Sequence, residues 1–308
     1  MSMSYIKHLL GIVLIASVGF AAQAQQDVMF TQYMFNGLAL NPAYAGSHNA
    51  LSATALIRKQ WVGIDGAPFS QTLSVHSPFK DERMGVGFQV VNDKIGISKE
   101  TNLYGAYSYW IPVGAGRLSM GLQAGINLFG TDFSQLDLKH DSDIDFSQGN
   151  LSELKPNFGA GLYYYTERLY LGLSVPRLVE NKFGDDAAGN TFQQARHYFL
   201  TGGYVFDLGP NWKFKPNFLI KTVPGAPVEL DLNANFLFIE KLWMGVSWRS
   251  FDSFDLLAQF FITDQLSLGY AYDITTTKLR GYTSGSHELM LNYVFKFSED
   301  KMLTPRYF

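Results

Sequence analysis

The feature that most constrains the fold of this chain is a strict alternation of apolar and polar residues over residues 287–297. One face of this segment is wholly apolar and ends in aromatic residues, whereas the other face carries charge. The two faces consist of Leu289, Leu291, Tyr293, Phe295 and Phe297, and of Glu288, Met290, Asn292 and Lys296. Side chains of a β-strand point alternately to its two sides, so a period of two residues predicts a strand.

The same alternation recurs along nearly the whole chain, in segments long enough to cross a membrane. The segments are 51–61, 69–77, 84–90, 101–111, 118–128, 158–165, 169–175, 197–205, 212–222, 228–238, 242–248, 254–262, 266–274 and 287–297. Only the segment 197–205 can be read in either register. An even number of adjacent antiparallel strands is what an outer-membrane barrel requires. We therefore predict an all-β fold, a transmembrane antiparallel β-barrel of about fourteen strands.

Composition supports a lipid-facing outer wall. Charged residues are 17% of the chain and aromatic residues 15%, whereas a typical soluble domain is roughly a quarter charged. The middle positions of the outward faces hold no Lys, Arg, Asp or Glu, and a Lys or Arg there costs roughly 2–4 kcal/mol. Aromatic residues near strand ends predict interfacial girdles. These residues are Trp61, Tyr109, Trp110, Trp212, Trp243, Trp248, Tyr270, Tyr272 and Phe297.

The amino terminus is typical of an exported protein. Lys7 precedes the short apolar run Leu9–Phe20, and Ala22 and Ala24 match a small-x-small cleavage site. We expect cleavage after Ala24, and the run is shorter than a spanning anchor needs. Export combined with alternating strands predicts the outer membrane of a Gram-negative bacterium. The predicted parts are a signal peptide (1–24), an N-terminal segment (25–48), the barrel (49–297) and a tail (298–308).

The segment that follows the signal peptide does not alternate, and its apolar residues have a loosely helical spacing that ends in a turn at Asn41–Gly46. Two compatible interpretations are a plug in the barrel mouth and a docking site for a periplasmic partner. Many of the inward strand positions are glycine, for example Gly85, Gly121 and Gly161. Glycine weakens a strand unless close approach or curvature is needed, which indicates room for a plug or strand coiling.

Several stretches of the chain, most of them within residues 30–68, resemble a known family. Phe30-Thr-Gln-Tyr-Met-Phe-Asn36 with Asn41-Pro-Ala-Tyr-Ala-Gly-Ser47, and Arg58-Lys-Gln-Trp-Val-Gly63 with Gly66-Ala-Pro68, resemble the start of the PorP/SprF family, as does the terminal Pro305-Arg-Tyr-Phe308. The match implies a set of plug or partner-binding residues: Gln32, Asn36, Asn41, Pro42, Tyr44, Gly46, Arg58, Trp61, Gly63, Gly66 and Pro68. In this hypothesis Asn41, Pro42 and Gly46 set a turn, Tyr44 and Trp61 are anchors, and Arg58 makes a charge-assisted contact.

The resemblance also implies a function. PorP/SprF proteins are outer-membrane components of type IX secretion and gliding in Bacteroidetes, so we expect a non-enzymatic component that assists export or surface retention of a cognate secreted protein. The implied partners are outer-membrane lipid, an adhesin-like cargo with a type IX sorting domain, and the periplasmic ring and peptidoglycan-binding components of the machine. The alternative is a passive channel for small or apolar solutes. Planar-bilayer conductance of the intact protein separates the two.

The sequence offers little support for catalysis or for a metal or cofactor site. His287 lies near Ser286, but the neighbouring Glu288 points to the opposite face of the same strand and cannot readily orient it. The loop Asp141–Asp145 imitates the start of a calcium loop, yet Phe146 stands where the turn glycine belongs. A solvated loop is the favoured interpretation. With no Cys, a net charge of −3 and no basic patch, we expect no thiolate site, no cofactor and no nucleic-acid partner.

Overall fold

The computed structural model describes residues 28–79, 83–133, 151–184 and 192–295, together with Tyr307. Its strands are β1 (Leu51–Lys59), β2 (Phe69–Phe79), β3 (Met84–Ile95), β4 (Ser98–Val113), β5 (Gly116–Thr131), β6 (Leu151–Tyr165), β7 (Leu169–Val175), β8 (Lys182–Phe183), β9 (Phe192–Gln193), β10 (Tyr198–Tyr204), β11 (Phe206–Asp207), β12 (Trp212–Thr222), β13 (Glu229–Phe238), β14 (Leu242–Arg249), β15 (Ser253–Phe261), β16 (Leu266–Thr275) and β17 (Ser286–Phe295). Short 3₁₀ turns span Tyr33–Phe35, Gly37–Ala39, Pro42–Tyr44 and Lys278–Gly281. Among the described residues no helix is long and apolar enough to cross a membrane.

The main sheet closes on itself. From β1 to β7 and from β12 to β17 each strand pairs with the next in antiparallel fashion, and β10 connects β7 to β12. The sheet closes because β1 pairs with β17 from Leu51 opposite Phe295 to Lys59 opposite His287. The short β11 continues the line of β10, because both strands pair with β12. Apart from the small β8–β9 hairpin, the wall therefore has fourteen strand positions, and the predicted antiparallel barrel is confirmed.

The alternation in the sequence matches the two sides of the wall. On β5, the outward Met120 and Leu122 are 42% and 65% exposed, whereas the inward Ser119, Gln123 and Asn127 are buried. The same division holds on β17, where Leu289 and Leu291 face outward. The ambiguous segment resolves with Phe199 inward and Leu200 outward. Water is absent from the bilayer core, so a closed ladder is what satisfies the backbone groups of this apolar band.

The tryptophans correct the girdle prediction. Trp212 and Trp248 face outward and are 39% exposed each, but Trp243 is fully buried inside the barrel. Trp110 has the same strand parity as the buried Ser108 and lines a cavity inside the short-turn end. Trp61 lies in the connection between β1 and β2. Proximity to a strand end is thus a weaker indicator of lipid contact than parity along the strand.

Two further differences concern strand lengths. β6 begins at Leu151, seven residues before the predicted start, and β4 and β5 are each longer at both ends. Ser152 and Pro156 occupy outward positions of β6, so this extension carries little of the apolar signal that marks a strand. The β8–β9 hairpin was not predicted, since two-residue strands show no periodicity.

The connections divide the barrel into two ends. The connections 60–68 and 276–285 lie at one end, called here the long-loop end, where β5 and β7 also end and β6 begins. Tight connections such as Gly114–Ala115 and 166–168 lie at the other, called the short-turn end, where β1 also begins. Outer-membrane barrels place long loops outside the cell and short turns in the periplasm. The predicted signal peptide, the Asp141–Asp145 loop and Phe297 lie outside the described residues, so those interpretations remain predictions.

The lipid-facing band makes a testable prediction. Leu122→Arg places a charge in the middle of the outward face of β5, and we expect it to destabilise the folded barrel by about 2–4 kcal/mol in lipid vesicles. The measurement is urea-induced unfolding. Phe251→Arg is the matched control, because Phe251 is 77% exposed in a turn of the long-loop end. Equal losses for both variants would contradict a membrane-facing wall.

Candidate functional site

Residues 28–50, called here the lumenal segment, lie inside the barrel against the inward faces of its strands. Most of its side chains are buried, including Phe30, Tyr33, Leu38 and Tyr44. Its local shape follows from its sequence. Asn41 caps a 3₁₀ turn by accepting a hydrogen bond from the Ala43 amide at 2.9 Å, with Pro42 at the first position of that turn. Gly46 follows with φ of +74°, a region that glycine favours.

A buried ion-pair cluster holds the start of the lumenal segment. Arg58 on β1 lies 2.6 Å from Asp273 on β16 and 3.2 Å from Glu288 on β17, and all three residues are buried. Glu288 accepts hydrogen bonds from the backbone amides of Thr31 and Gln32, both at 2.8 Å. The Thr31 hydroxyl donates to Asp273 and accepts from Arg58, each at 2.9 Å. The lumenal segment therefore supplies hydrogen bonds that buried charges require.

The centre of the segment packs on aromatic, apolar and amide groups of the wall. The Tyr33 hydroxyl accepts from Asn233 at 2.8 Å and Asn217 at 3.4 Å. Its ring belongs to an apolar cluster inside the barrel. That cluster contains Met29, Tyr33, Met34, Leu40, Phe199, Leu219, Leu257 and Ala271, with Phe35 packed against it. The lumen is thus filled in part like a protein core rather than lined only with polar groups.

The end of the segment lies directly on glycine backbone. A Cβ added at Gly121 would overlap backbone atoms of Ala43 and Pro42, and one added at Gly85 would overlap the Ala45 carbonyl. At Gly161 it would overlap the Asn41 side chain, whose amide donates to the Leu162 carbonyl at 2.8 Å. The inward glycines noted in the sequence are therefore the positions at which the segment approaches the wall most closely.

An aromatic cluster surrounds Tyr44 at the same level. Its hydroxyl is hydrogen-bonded to His48 Nε2 at 2.6 Å, and its ring meets His76 and Tyr163 edge-on at 5.3 and 5.4 Å. Burial raises the pKa of the Tyr44 phenol well above its ordinary value, so the group stays neutral at physiological pH. Tyr44 therefore connects the lumenal segment to wall residues of β2 and β6.

The predicted site residues fall into two groups. Gln32, Asn36, Asn41, Pro42, Tyr44, Gly46 and Arg58 all lie within the lumen. Trp61, Gly63, Gly66 and Pro68 lie instead in the β1–β2 connection at the long-loop end. Trp61 adopts φ of +45°, unusual for a bulky residue, and its amide donates to the Ser286 hydroxyl at 3.2 Å. The single hypothesised set is therefore divided between two places.

Sequence reasoning missed several residues that hold the segment. Within the segment, the Thr31 hydroxyl donates to Asp273 of the wall. From the wall, the Ser174 hydroxyl donates to the Leu40 carbonyl of the segment at 2.7 Å. The alternation places Glu288 on the charged face of the last strand but does not indicate its contact with the lumenal segment. The sequence does carry one signal for this cluster. Inward carboxylates stand on the last two strands (Asp273 and Glu288), and an inward arginine (Arg58) stands on the first strand.

The arrangement of Ser286, His287 and Glu288 does not form a catalytic triad. His287 faces outward and is hydrogen-bonded to the Tyr270 hydroxyl at 2.7 Å, whereas Glu288 faces inward. Within the described parts of the chain, no group of three or more His, Asp or Glu side chains could hold a metal ion. What the site can do chemically is bind a peptide backbone by charged and polar groups.

A closed antiparallel wall with an apolar outer band and a polar, partly filled lumen defines an outer-membrane β-barrel protein. Residues 22–293 match the family model of the type IX secretion system membrane protein PorP/SprF. The chain therefore belongs to the PorP/SprF family, as the sequence resemblance implied. No curated protein matches this sequence.

Solved structures with a similar shape are outer-membrane proteins. They include the Acinetobacter baumannii outer membrane protein Omp33 (TM-score 0.47, 11% identity, 80% of this chain and 98% of that chain). A second is the CymD monoaromatic hydrocarbon channel (TM-score 0.47, 12% identity, 91% and 96%). A third is a Pseudomonas aeruginosa FadL homologue (TM-score 0.45, 11% identity, 80% and 89%). The fold assignment rests on the strand pairing of this chain and not on these similarities.

The buried ion-pair cluster makes a second prediction. Arg58→Met leaves Asp273 and Glu288 buried without their guanidinium, and we expect a loss of about 3–5 kcal/mol in the free energy of unfolding. Lys59→Met is the matched control, because the next residue points outward and is exposed, and we expect a change within about 1 kcal/mol. Unfolding in urea measures both. A similar small change in the two variants would show that the cluster does not stabilise the protein.

The glycine contacts make a third prediction. Gly121→Ala places a methyl group against the backbone of the lumenal segment. We expect this overpacking to lower the free energy of unfolding by about 1–3 kcal/mol. Gly105→Ala is the matched control, since its Cβ would meet only the Ala124 carbonyl oxygen, at 4.0 Å. Limited proteolysis of the lumenal segment measures the effect. Faster cleavage is expected for the first variant alone, and equal rates would refute the close contact.

Proposed function

We propose that the lumenal segment is a plug and that this protein serves type IX secretion as a non-enzymatic outer-membrane component. It assists export or surface retention of a cognate secreted protein. The observation that carries the proposal is the set of contacts along the segment, from the Thr31 and Gln32 amides on Glu288 to the Asn41 amide on Leu162. Buried hydrogen bonds to charged groups hold a segment far more firmly than surface contacts.

Family membership supports the proposed partners. By resemblance to the family, the cargo is an adhesin-like protein with a type IX sorting domain. The short-turn end faces periplasmic ring and peptidoglycan-binding components, and the outer wall contacts outer-membrane lipid. The Trp61–Pro68 connection is the proposed contact for a partner at the long-loop end. The left-handed backbone at Trp61 supports this role, since strained conformations cluster at functional sites.

The test is deletion of residues 26–47. We expect the shortened barrel to insert normally but to conduct ions in planar bilayers, because the groups that fill the lumen are gone. In cells we expect loss of the cognate protein from the surface. Trp61→Ala is the control for conductance, since it alters the long-loop end and leaves the lumenal segment in place.

Two outcomes contradict the proposal separately. A stable open pore in the intact protein would favour the passive channel over the plug. Unchanged surface display after the deletion, with normal insertion of the barrel, would refute a role of the lumenal segment in secretion. Insertion is followed by the mobility of heated and unheated protein on a denaturing gel.

A further inference from the structure

A cavity of about 640 Å³ opens at the short-turn end, beside the last residues of the lumenal segment. Its lining includes His48 and Asn49 from the lumenal segment and Trp110, Arg117 and Tyr165 from the wall. The Arg117 guanidinium lies 4.2 Å from the Trp110 ring centre and donates to the Asn49 side chain at 3.1 Å. This volume and mixed lining are typical of a binding site.

Tyr307, from the end of the chain, also lines this cavity. Its hydroxyl donates to Glu240 at 3.3 Å, and the Lys213 ammonium lies 4.9 Å from its ring centre. Lys213 and Glu240 are themselves an ion pair at 3.1 Å. A phenol thus meets an acceptor for its hydroxyl and a cation for its ring within one preformed pair.

Lys215 connects Tyr307 to the lumenal segment. Its ammonium is buried and donates to the Tyr307 carbonyl oxygen at 2.7 Å. The same ammonium lies 4.7 Å from the ring centre of Phe35 in the lumenal segment and 4.8 Å from that of Trp243. The Phe35 and Trp243 rings are 6.2 Å apart. The buried Lys215 ammonium therefore contacts both Phe35 of the lumenal segment and Tyr307 at the short-turn end.

We propose that the short-turn end is a binding site for this chain's own Tyr307, and that its occupancy secures the lumenal segment through Lys215. A buried ammonium needs hydrogen-bond acceptors to offset its lost hydration. When Tyr307 leaves, one acceptor leaves with it and water can reach the cation from the opened end. Hydration of Lys215 then competes with its contact to Phe35, and the lumenal segment is held less firmly.

This inference rests on the proposed plug, because the lumenal segment is the part of the protein that Tyr307 would secure. Its test measures how firmly that segment is held and does not measure secretion. The chain contains no Cys, and Ala39→Cys places a single thiol in the lumenal segment at small steric cost. The measured quantity is the labelling rate of this thiol by a membrane-impermeant maleimide, in the full-length protein reconstituted in lipid vesicles.

We expect Tyr307→Ala to raise the labelling rate about tenfold, which corresponds to about 1.4 kcal/mol. Tyr307→Phe retains the ring over Lys213 and is expected to restore most of the protection. Tyr282→Ala is the matched control, because Tyr282 is 77% exposed at the long-loop end, and it should leave the rate unchanged. In a Lys215→Met background, Tyr307→Ala should have no further effect, since the coupling group is gone.

Two results would overturn the inference. Equal labelling rates for Tyr307→Ala and Tyr282→Ala would show that Tyr307 does not secure the segment. An undiminished effect of Tyr307→Ala in the Lys215→Met background would show that the coupling does not pass through Lys215. The conductance experiment tests the plug separately: if the protein that lacks residues 26–47 does not conduct ions, the lumenal segment is not a plug.

Discussion

The structure depends on the pairing of its first and last barrel strands. In hydrocarbon an unpaired backbone amide or carbonyl is costly, and a sheet avoids the cost only by leaving no edge. Pairing along the whole of β1 with β17 provides this closure. Once the sheet is closed, parity along each strand decides which side chains meet lipid and which meet the lumen. The outward leucines of β5 and the inward Ser119 and Gln123 follow from that single constraint.

Closure also creates an interior that must be filled or hydrated. Inward carboxylates and cations are far from bulk water there, and their free energy depends on the partners they find. In this protein several of those partners belong to the lumenal segment, which brings backbone amides to Glu288 and an aromatic ring to Lys215. Glycines such as Gly121 and Gly85 leave space for its backbone. The polar lumen and the segment inside it are therefore complementary parts of one core.

Much of the wall could be predicted from the sequence, and much of the site could not. Strand parity is local, so periodicity sufficed for the strand number and for the inward positions of Glu288 and Gly121. The contact of Thr31 with Glu288 joins residues 257 positions apart, and no local pattern encodes it. Trp243 was misplaced because its position near a strand end was given more weight than its parity. The inward glycines indicated close approach, but which residues of the segment approach them depends on its three-dimensional path.

The hydrogen-bonded register between β1 and β17 places Arg58 directly opposite Glu288. The junction that completes the cylinder is thus also where the start of the lumenal segment is bound, by residues from both sides of the junction and from β16. Pairing of the last strand with the first brings the Glu288 carboxylate to the Arg58 guanidinium, and the N-terminal peptide adds the Thr31 and Gln32 amides to the same carboxylate. Without that strand pairing Arg58 lacks its Glu288 partner, and a buried charge without a partner is costly, so this ion pair favours the sealed cylinder over an open sheet.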